Sequence, residues 1–253
     1  LVGATRYGSG HINDTYCVLC QPKEGDCKRF ILQRMSSAAF PHLDRVMANF
    51  QGVTEYLSDQ IRKAGGDVSR ETLSLVHTKD DKPFYIDSEG EMWRMTPFIE
   101  ETVCYQKATP AQFEASAEAF GKFQALLKDY PADTLYETIA KFHDTEDRYA
   151  KFEAVLAADK MGRAATAKDE IEFVRSRKAD CSVVCQALRE GKLPLRVTHN
   201  DTKLNNVLFD KRTGEGICVI DLDTTMPGLS INDFGDSIRF GANHSAEDEL
   251  DLT

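Results

Sequence analysis

Two segments carry the densest chemistry in the chain: His199-Asn200-Asp201-Thr202-Lys203-Leu204-Asn205-Asn206, and then Val219-Ile220-Asp221-Leu222-Asp223. Phosphoryl transfer from ATP needs a carboxylate beside the attacking hydroxyl and oxygen ligands for magnesium. Asp201 opens a loop between an apolar run and a hairpin, where it can face a cleft as catalytic base. Asn206 lies where that loop re-enters a strand, and Asp221 ends the partner strand. The hairpin therefore brings Asn206 and Asp221 together as oxygen ligands for a hard cation. Lys203 can reach the transferring phosphate and offset its charge. Asp and Asn in loops often do no more than cap turns. An ordered set of this kind outweighs that reading.

Two further segments bear on the same chemistry. Gly8-Ser9-Gly10-His11-Ile12-Asn13 precedes an apolar run, and a Gly-rich turn between strands can lay backbone amides over phosphates. Gly8 and Gly10 are the candidates for that role. No helix follows directly, so this is not a dinucleotide fingerprint. Asp233-Phe234-Gly235 matches a kinase metal-binding tripeptide by letters but not by position, because no apolar strand leads into it. Asp233 and Asp236 read instead as loop and helix-start residues that support the catalytic loop.

The elements that must position these residues can be traced by periodicity. Thr15 to Leu19 and Phe30-Ile31-Leu32, joined by a polar loop, read as a hairpin. Asp44 to Lys63 reads as a helix, with Val46, Phe50, Val53, Leu57 and Ile61 at spacings of three and four. Gly65-Gly66 ends it. Pro83 to Ile86 and Met92 to Ile99 read as strands joined by a turn at Asp87-Ser88-Glu89-Gly90. Beyond Ile99 the character becomes helical. Thr109-Pro110-Ala111-Gln112 is a capping box with proline at the first helical position. Asp169 to Arg189 reads as one long helix that Pro194 breaks. Leu195-Arg196-Val197, Val207-Leu208-Phe209 and Ile217 to Ile220 are the strand-like runs around the catalytic loop.

Composition narrows the classes. The chain has 253 residues, 42% of them hydrophobic, and a formal charge of -10. That length supports a sizeable core in one large domain or two lobes. An acidic chain without a basic block is a poor match for a nucleic-acid backbone or an anionic membrane. Nothing reads as a signal peptide or membrane span. The seven cysteines are odd in number and irregular in spacing, as expected of reduced thiols in a cytoplasmic protein. Cys17 and Cys20 fall in a strand, where residues three apart face opposite sides, so a metal or redox pair is not expected there. The N-terminus at Leu1 and the C-terminus at Thr253 both read as cut.

The pattern His-x-Asp-x-x-x-x-Asn, a short hairpin and Ile-Asp-x-Asp resembles the aminoglycoside phosphotransferase and choline kinase superfamily. That resemblance implies an α+β, protein-kinase-like fold with a small β-rich N-terminal lobe (1–98) and a larger, mostly helical C-terminal lobe (99–253), truncated at its end. It implies ATP and Mg2+ as cofactors, Asp201 as base, Asn206 and Asp221 as metal ligands, and Asp223 as a second acid near the metal or the acceptor. Such folds place a lysine in the third strand to hold phosphates. This chain has Phe30-Ile31-Leu32-Gln33-Arg34-Met35 there, so Arg34 is the expected substitute, oriented by Glu55. Trp93 to Ile99, with Pro97 and Ile99, would line the adenine.

Residues 8–16, 30–35, 142–145 and 198–210 look more narrowly like the N-acetylhexosamine 1-kinases. This implies transfer of phosphate to the anomeric hydroxyl of GlcNAc or GalNAc, with His11, Asn13, His143, Asp144 and Asp223 as sugar partners. Alternatives are a kinase of the same fold acting on an amino alcohol, methylthioribose or an aminoglycoside, or an inactive nucleotide- or sugar-binding module. A sulfatase needs Cys or Ser, Pro two later and Arg two after that. Cys20-Gln21-Pro22-Lys23-Glu24 lacks the Arg. The sequence does not speak to oligomeric state.

Overall fold

The computed structural model describes residues 1–8, 10, 12–22 and 25–243. The chain forms two compact units, one combining Leu1–Thr138 with the segment from Arg196 onward, the other Ile139–Leu195.

The first unit opens with an antiparallel sheet built from β1 (Gly3–Arg6), β2 (Asp14–Cys20), β3 (Lys28–Arg34), β4 (Tyr85–Ile86) and β5 (Met92–Pro97), in the order β1-β2-β3-β5-β4. The expected hairpin is β2 with β3, in register from Asp14↔Arg34 to Cys20↔Lys28. In β3 and β5, Gln33 lies opposite Arg94 and Arg34 opposite Trp93. Because side chains alternate along a strand, these two pairs occupy opposite faces. The Gln33–Arg94 face packs on α1 (Leu43–Lys63), whose Phe50 ring lies 4.6 Å below the Arg94 guanidinium carbon. Helix α1 is the amphipathic helix expected from its apolar spacing. Val46, Phe50, Val53, Leu57 and Ile61 are all buried.

The short α2 (Val68–Glu71) follows, capped by Asp67, and β6 (Thr102–Val103) leaves the sheet. In α3 (Pro110–Leu126) both bonds of the capping box form: Gln112 N–H to Thr109 Oγ1 at 3.3 Å, and Thr109 N–H to Gln112 Oε1 at 2.9 Å. Helix α3 packs on β9 (Gly216–Val219). At Gly216 a Cβ would stand 2.8 Å from the Ala115 carbonyl oxygen, so glycine there permits the close approach of helix and strand. β9 pairs with β8 (Val207–Asp210), which also pairs with β6. β7 (Arg196–Thr198) pairs with β10 (Met226–Gly228), and α7 (Ser230–Gly241) follows. The core runs from α1 through α3 to the hairpin, and includes Phe50, Phe120, Phe123, Val197, Leu204, Val207, Phe209 and Leu222.

The second unit holds α4 (Thr145–Ala158), α5 (Lys168–Ser176) and α6 (Val183–Arg189). The single helix expected over 169–189 is therefore two helices, separated by a 3₁₀ turn at Asp180–Ser182. The local reason lies in short polar side chains that bond the backbone instead of prolonging the helix. Ser176 Oγ donates to the Phe173 carbonyl and Ser182 Oγ to the Ala179 carbonyl, at 2.9 and 3.0 Å; such bonds favour turns over helix interiors. No residue of these helices is fully buried, so packing does not override them. Among the described residues no helix is long and apolar enough to cross a membrane.

Candidate active site

The loop from His199 to Asn206 is held from below by a histidine and from behind by two aspartates. His199 is completely buried, with its ring edge-on to Phe120 and Phe123 at 5.4 and 6.0 Å. Asp201 N–H points to its Nδ1 at 3.2 Å, and its Nε2 lies 2.8 Å from the Ile220 carbonyl oxygen. A backbone N–H only donates and a carbonyl only accepts, so the ring carries its proton on Nε2. One imidazole thus joins the residue that opens the loop to the residue just before Asp221.

Asp233, on α7, accepts from the backbone N–H of His199 at 2.9 Å and of Asn200 at 2.8 Å, and from Gln124 Nε2 at 2.6 Å. Burial raises its carboxyl above the usual carboxylate range, against the pull of these donors. Asp236 accepts from Thr202 N–H at 2.8 Å and pairs with Arg239. Both aspartates brace the loop, as read from their positions in the sequence. Asn200 and Asp221 both take left-handed backbone angles, φ 67° and 59°, conformations that cost energy in most residues and are tolerated best by Asn and Asp. Asn200 is fixed there because its Nδ2 donates to the carbonyls of Thr198 and Thr224.

Asp201, Asn206 and Asp221 come together as the hairpin reading requires. Asn206 Nδ2 donates to the Asp201 carbonyl at 2.8 Å and to its Oδ2 at 3.1 Å. The Asn206 carbonyl accepts from Ile220 N–H at 2.9 Å, which seats Asp221 beside it. Lys203 Nζ lies 3.5 Å from Asp201 Oδ1. Asp221 is exposed at its surface yet closely surrounded by protein; this burial, with the charge of Asp223 next, pushes its carboxyl up to about 6.

The donor set fits magnesium. The Asn206 amide nitrogen is committed to Asp201, which turns its oxygen outward, and Asp221 receives no side-chain hydrogen bond from the described residues. Two hard oxygen ligands, with phosphate oxygens and water completing the shell, is how Mg2+ is ordinarily held in phosphate-transfer sites. No three His, Cys, Asp or Glu ligand atoms converge here; among the described residues the only such group is Asp144, Glu146 and Cys185 in the second unit. There Asp144 caps α4 and Glu146 pairs with Arg189.

The other expected residues fall differently. Asp223 is buried, and both its oxygens are taken: Asn13 Nδ2 donates to one at 2.6 Å and Arg94 Nη1 to the other. Asn13 Oδ1 accepts from Ser36 N–H at 3.0 Å. Arg34 is not brought to this group. It is tied with Arg6 to Asp14, whose carboxyl Arg34 and then Arg6 hold below the usual range. The ion pair expected between Glu55 and Arg34 does not form, because Glu55 accepts from Gln51 on the same helix at 2.8 Å. Gly8 has the positive φ of 80° that a tight turn needs, and neither Gly8 nor Gly10 has a neighbour where a Cβ would stand. Pro97 ends β5 next to Phe98, which meets Tyr7 edge-on, and Ile99 is buried. The His143 ring lies tilted against Phe142 in the second unit, ring centroids 4.7 Å apart. His11 lies outside the described residues. Nothing in the sequence spacing singles out Arg94, which is buried against Asp223. Its register opposite Gln33 is visible only once strand pairing is known.

The phosphotransferase enzyme family model, APH, matches residues 3–252. The chain belongs to this family. Solved structures show the same fold at low identity. The streptomycin–ATP ternary complex of APH(2")-IIa is 16% identical, with a TM-score of 0.52 over 92% of this chain and 69% of that one. Spectinomycin phosphotransferase APH(9)-Ia, in complex with ADP and spectinomycin, is 14% identical, with a TM-score of 0.52 over 98% and 75%. An aminoglycoside phosphotransferase from Alicyclobacillus acidocaldarius is 14% identical, with a TM-score of 0.57 over 93% and 66%.

Proposed function

We propose that this phosphotransferase moves the terminal phosphoryl group of ATP to the anomeric hydroxyl of an N-acetylhexosamine, GlcNAc or GalNAc, giving the sugar 1-phosphate. Residues 1–98 would serve as the nucleotide lobe and 99–253 as the catalytic and acceptor lobe. The observation that supports the reading is the link Asp201–Asn206–Ile220–Asp221, which gathers the proposed base and the two proposed metal ligands at one end of the β8–β9 hairpin. ATP as the donor is supported by the nucleotides named in two of the solved relatives.

The chemistry follows from these side chains. Asp201 takes the proton from the anomeric oxygen as phosphorus approaches, a task for a carboxylate within hydrogen-bond reach. The Asn206 amide orients the Asp201 oxygen that does not face Lys203. Lys203 offsets charge on the transferring phosphoryl group. When bound, Mg2+ would be held by Asn206 and Asp221 and would neutralise phosphate oxygens. The Gly8–Gly10 turn would lie over the phosphates, and Pro97 and Ile99 beside the adenine. The sugar assignment rests on the sequence segments, with His11, His143 and Asp144 as its proposed direct partners. Asn13 and Asp223, already bonded to each other, are its further proposed partners.

The test is incubation of the protein with MgATP and, in parallel, GlcNAc, GalNAc, glucose, choline and an aminoglycoside, read by phosphorus NMR. A 1-phosphate from the N-acetylhexosamines alone is expected. Product from another acceptor alone would keep the phosphotransferase and discard the sugar. No product from any acceptor would favour a binding module.

A further inference from the structure

A polyphosphate entering this site meets Asp201, Asp221 and Asp223, and repulsion among so many negative charges must be offset by cations. Two cationic side chains are tied to these carboxylates: Lys203 to Asp201, and Arg94 to Asp223. Lys203 sits on the side of the base. Arg94 comes from β5, on the sheet side, where donor phosphates would arrive if the Gly8–Gly10 turn covers them.

Arg94 is an unusual residue to find where it is. Its side chain is 2% exposed, and that of its partner Asp223 is 3% exposed. Its Nε donates to Gln33 Oε1 at 2.9 Å, its Nη1 to Asp223, and its plane lies over Phe50. Gln33 in turn donates to Thr15 Oγ1 at 3.1 Å. Three elements therefore hold one guanidinium in a fixed orientation. Its remaining nitrogen, Nη2, makes no hydrogen bond to a described residue. A planar guanidinium offers five N–H donors in a rigid fork; here Nε and Nη1 each hold a partner, and Nη2, which lies between them, holds none among the described residues. Arg34, the residue next to Gln33, is committed to Asp14 on the opposite face of β3.

The geometry points to Arg94 as the protein cation that receives the non-transferred phosphates of the nucleotide, through its Nη2 donors, while its Nη1 keeps the Asp221–Asp223 segment docked on the sheet. This rests on the nucleotide reading above. It moves phosphate binding from the third strand to the fifth, and it gives Asp223 the role of anchor for that cation.

The experiment measures dissociation constants of MgATP and of adenosine for the full chain and its variants. Wild-type binding of MgATP tests the nucleotide reading by itself, whatever the variants do. Removing a charge-assisted contact to phosphate costs roughly 10- to 100-fold in affinity. Arg94→Met is expected to lose that much for MgATP while adenosine changes by less than about threefold. Adding Gln33→Lys in the Arg94→Met background places an ammonium on the same face of the sheet, one strand away, and is expected to restore at least about tenfold. Should Arg94→Met fail to fold, Arg94→Met with Asp223→Asn removes both buried charges and is read against Asp223→Asn alone by the same ATP-to-adenosine ratio. Equal losses for both ligands, as a purely structural role would give, would overturn the assignment. So would an unchanged ratio, or a selective loss of MgATP in Arg34→Ala with none in the Arg94 variant.

Discussion

Asp233→Ala removes the side chain that accepts from the first two backbone N–H groups of the 199–206 loop. In the wild type its carboxylate accepts two buried backbone N–H groups, those of His199 and Asn200, and the Gln124 amide. Each buried donor left without a partner costs about 1–3 kcal/mol, so the two backbone groups alone account for roughly 2–6 kcal/mol. An opposing contribution comes from relief of a buried carboxylate, whose raised pKa shows that its charge is held at a cost. The net expectation is a loss of about 3 kcal/mol. With a urea slope of about 3 kcal/mol per molar for a domain of this size, the unfolding midpoint should fall by about 1 M. Because Asp201 follows Asn200 directly, kcat should fall by about 100-fold, the scale expected when a reacting group is misplaced by an ångström. Urea unfolding followed by Trp93 fluorescence, with kcat measured in parallel, checks both effects. A midpoint within about 0.3 M of wild type would refute the bracing role.

Asp221→Asn is expected to stabilise the metal-free protein at pH 8 and to abolish magnesium-dependent turnover. The folded carboxyl is raised to about 6 from an ordinary 3.8. The native state therefore holds this proton more tightly, and wild-type stability declines as pH rises from about 4 to 6. Because the side chain is exposed to solvent, the full shift is discounted to a gain of about 1 kcal/mol above pH 6, absent at pH 4. Thermal unfolding of both proteins across that range reads it, and an equal gain at pH 4 would contradict the cause given. His199→Leu should destabilise by about 2–4 kcal/mol, since it leaves the Asp201 N–H and the Ile220 carbonyl without partners. Calorimetry showing a change below about 1 kcal/mol would mean that the ring is only packing.

The parts of the fold that sequence patterns expose best are those stabilised locally. Helix α1 shows its apolar stripe, α3 its capping box, and β2–β3 its alternation. The meeting of Asn206 and Asp221 was legible because they flank one hairpin, whereas the particular bonds to His199, Asp233 and Asp236 that hold the loop before it were not. What sequence spacing could not show is set by long-range register. Arg34 and Gln33 are neighbours, yet the strand pleat sends them to opposite faces, and only the pairing of β3 with β5 shows that Gln33 meets Arg94. Glu55 lies one turn beyond Gln51 and bonds within its own helix. The break within 169–189 escaped because helical periodicity is the same on either side of Asp180, and the hydroxyl bonds that interrupt it leave no period.

The most direct test of the central claim is single-turnover phosphoryl transfer by Asp201→Asn against wild type, with MgATP and an N-acetylhexosamine as acceptor. Asparagine fills the same space but cannot take a proton, so the rate is expected to fall by about 1,000-fold or more while MgATP affinity stays within about threefold. A rate within about tenfold of wild type would contradict Asp201 as the base, and with it this reading of the loop.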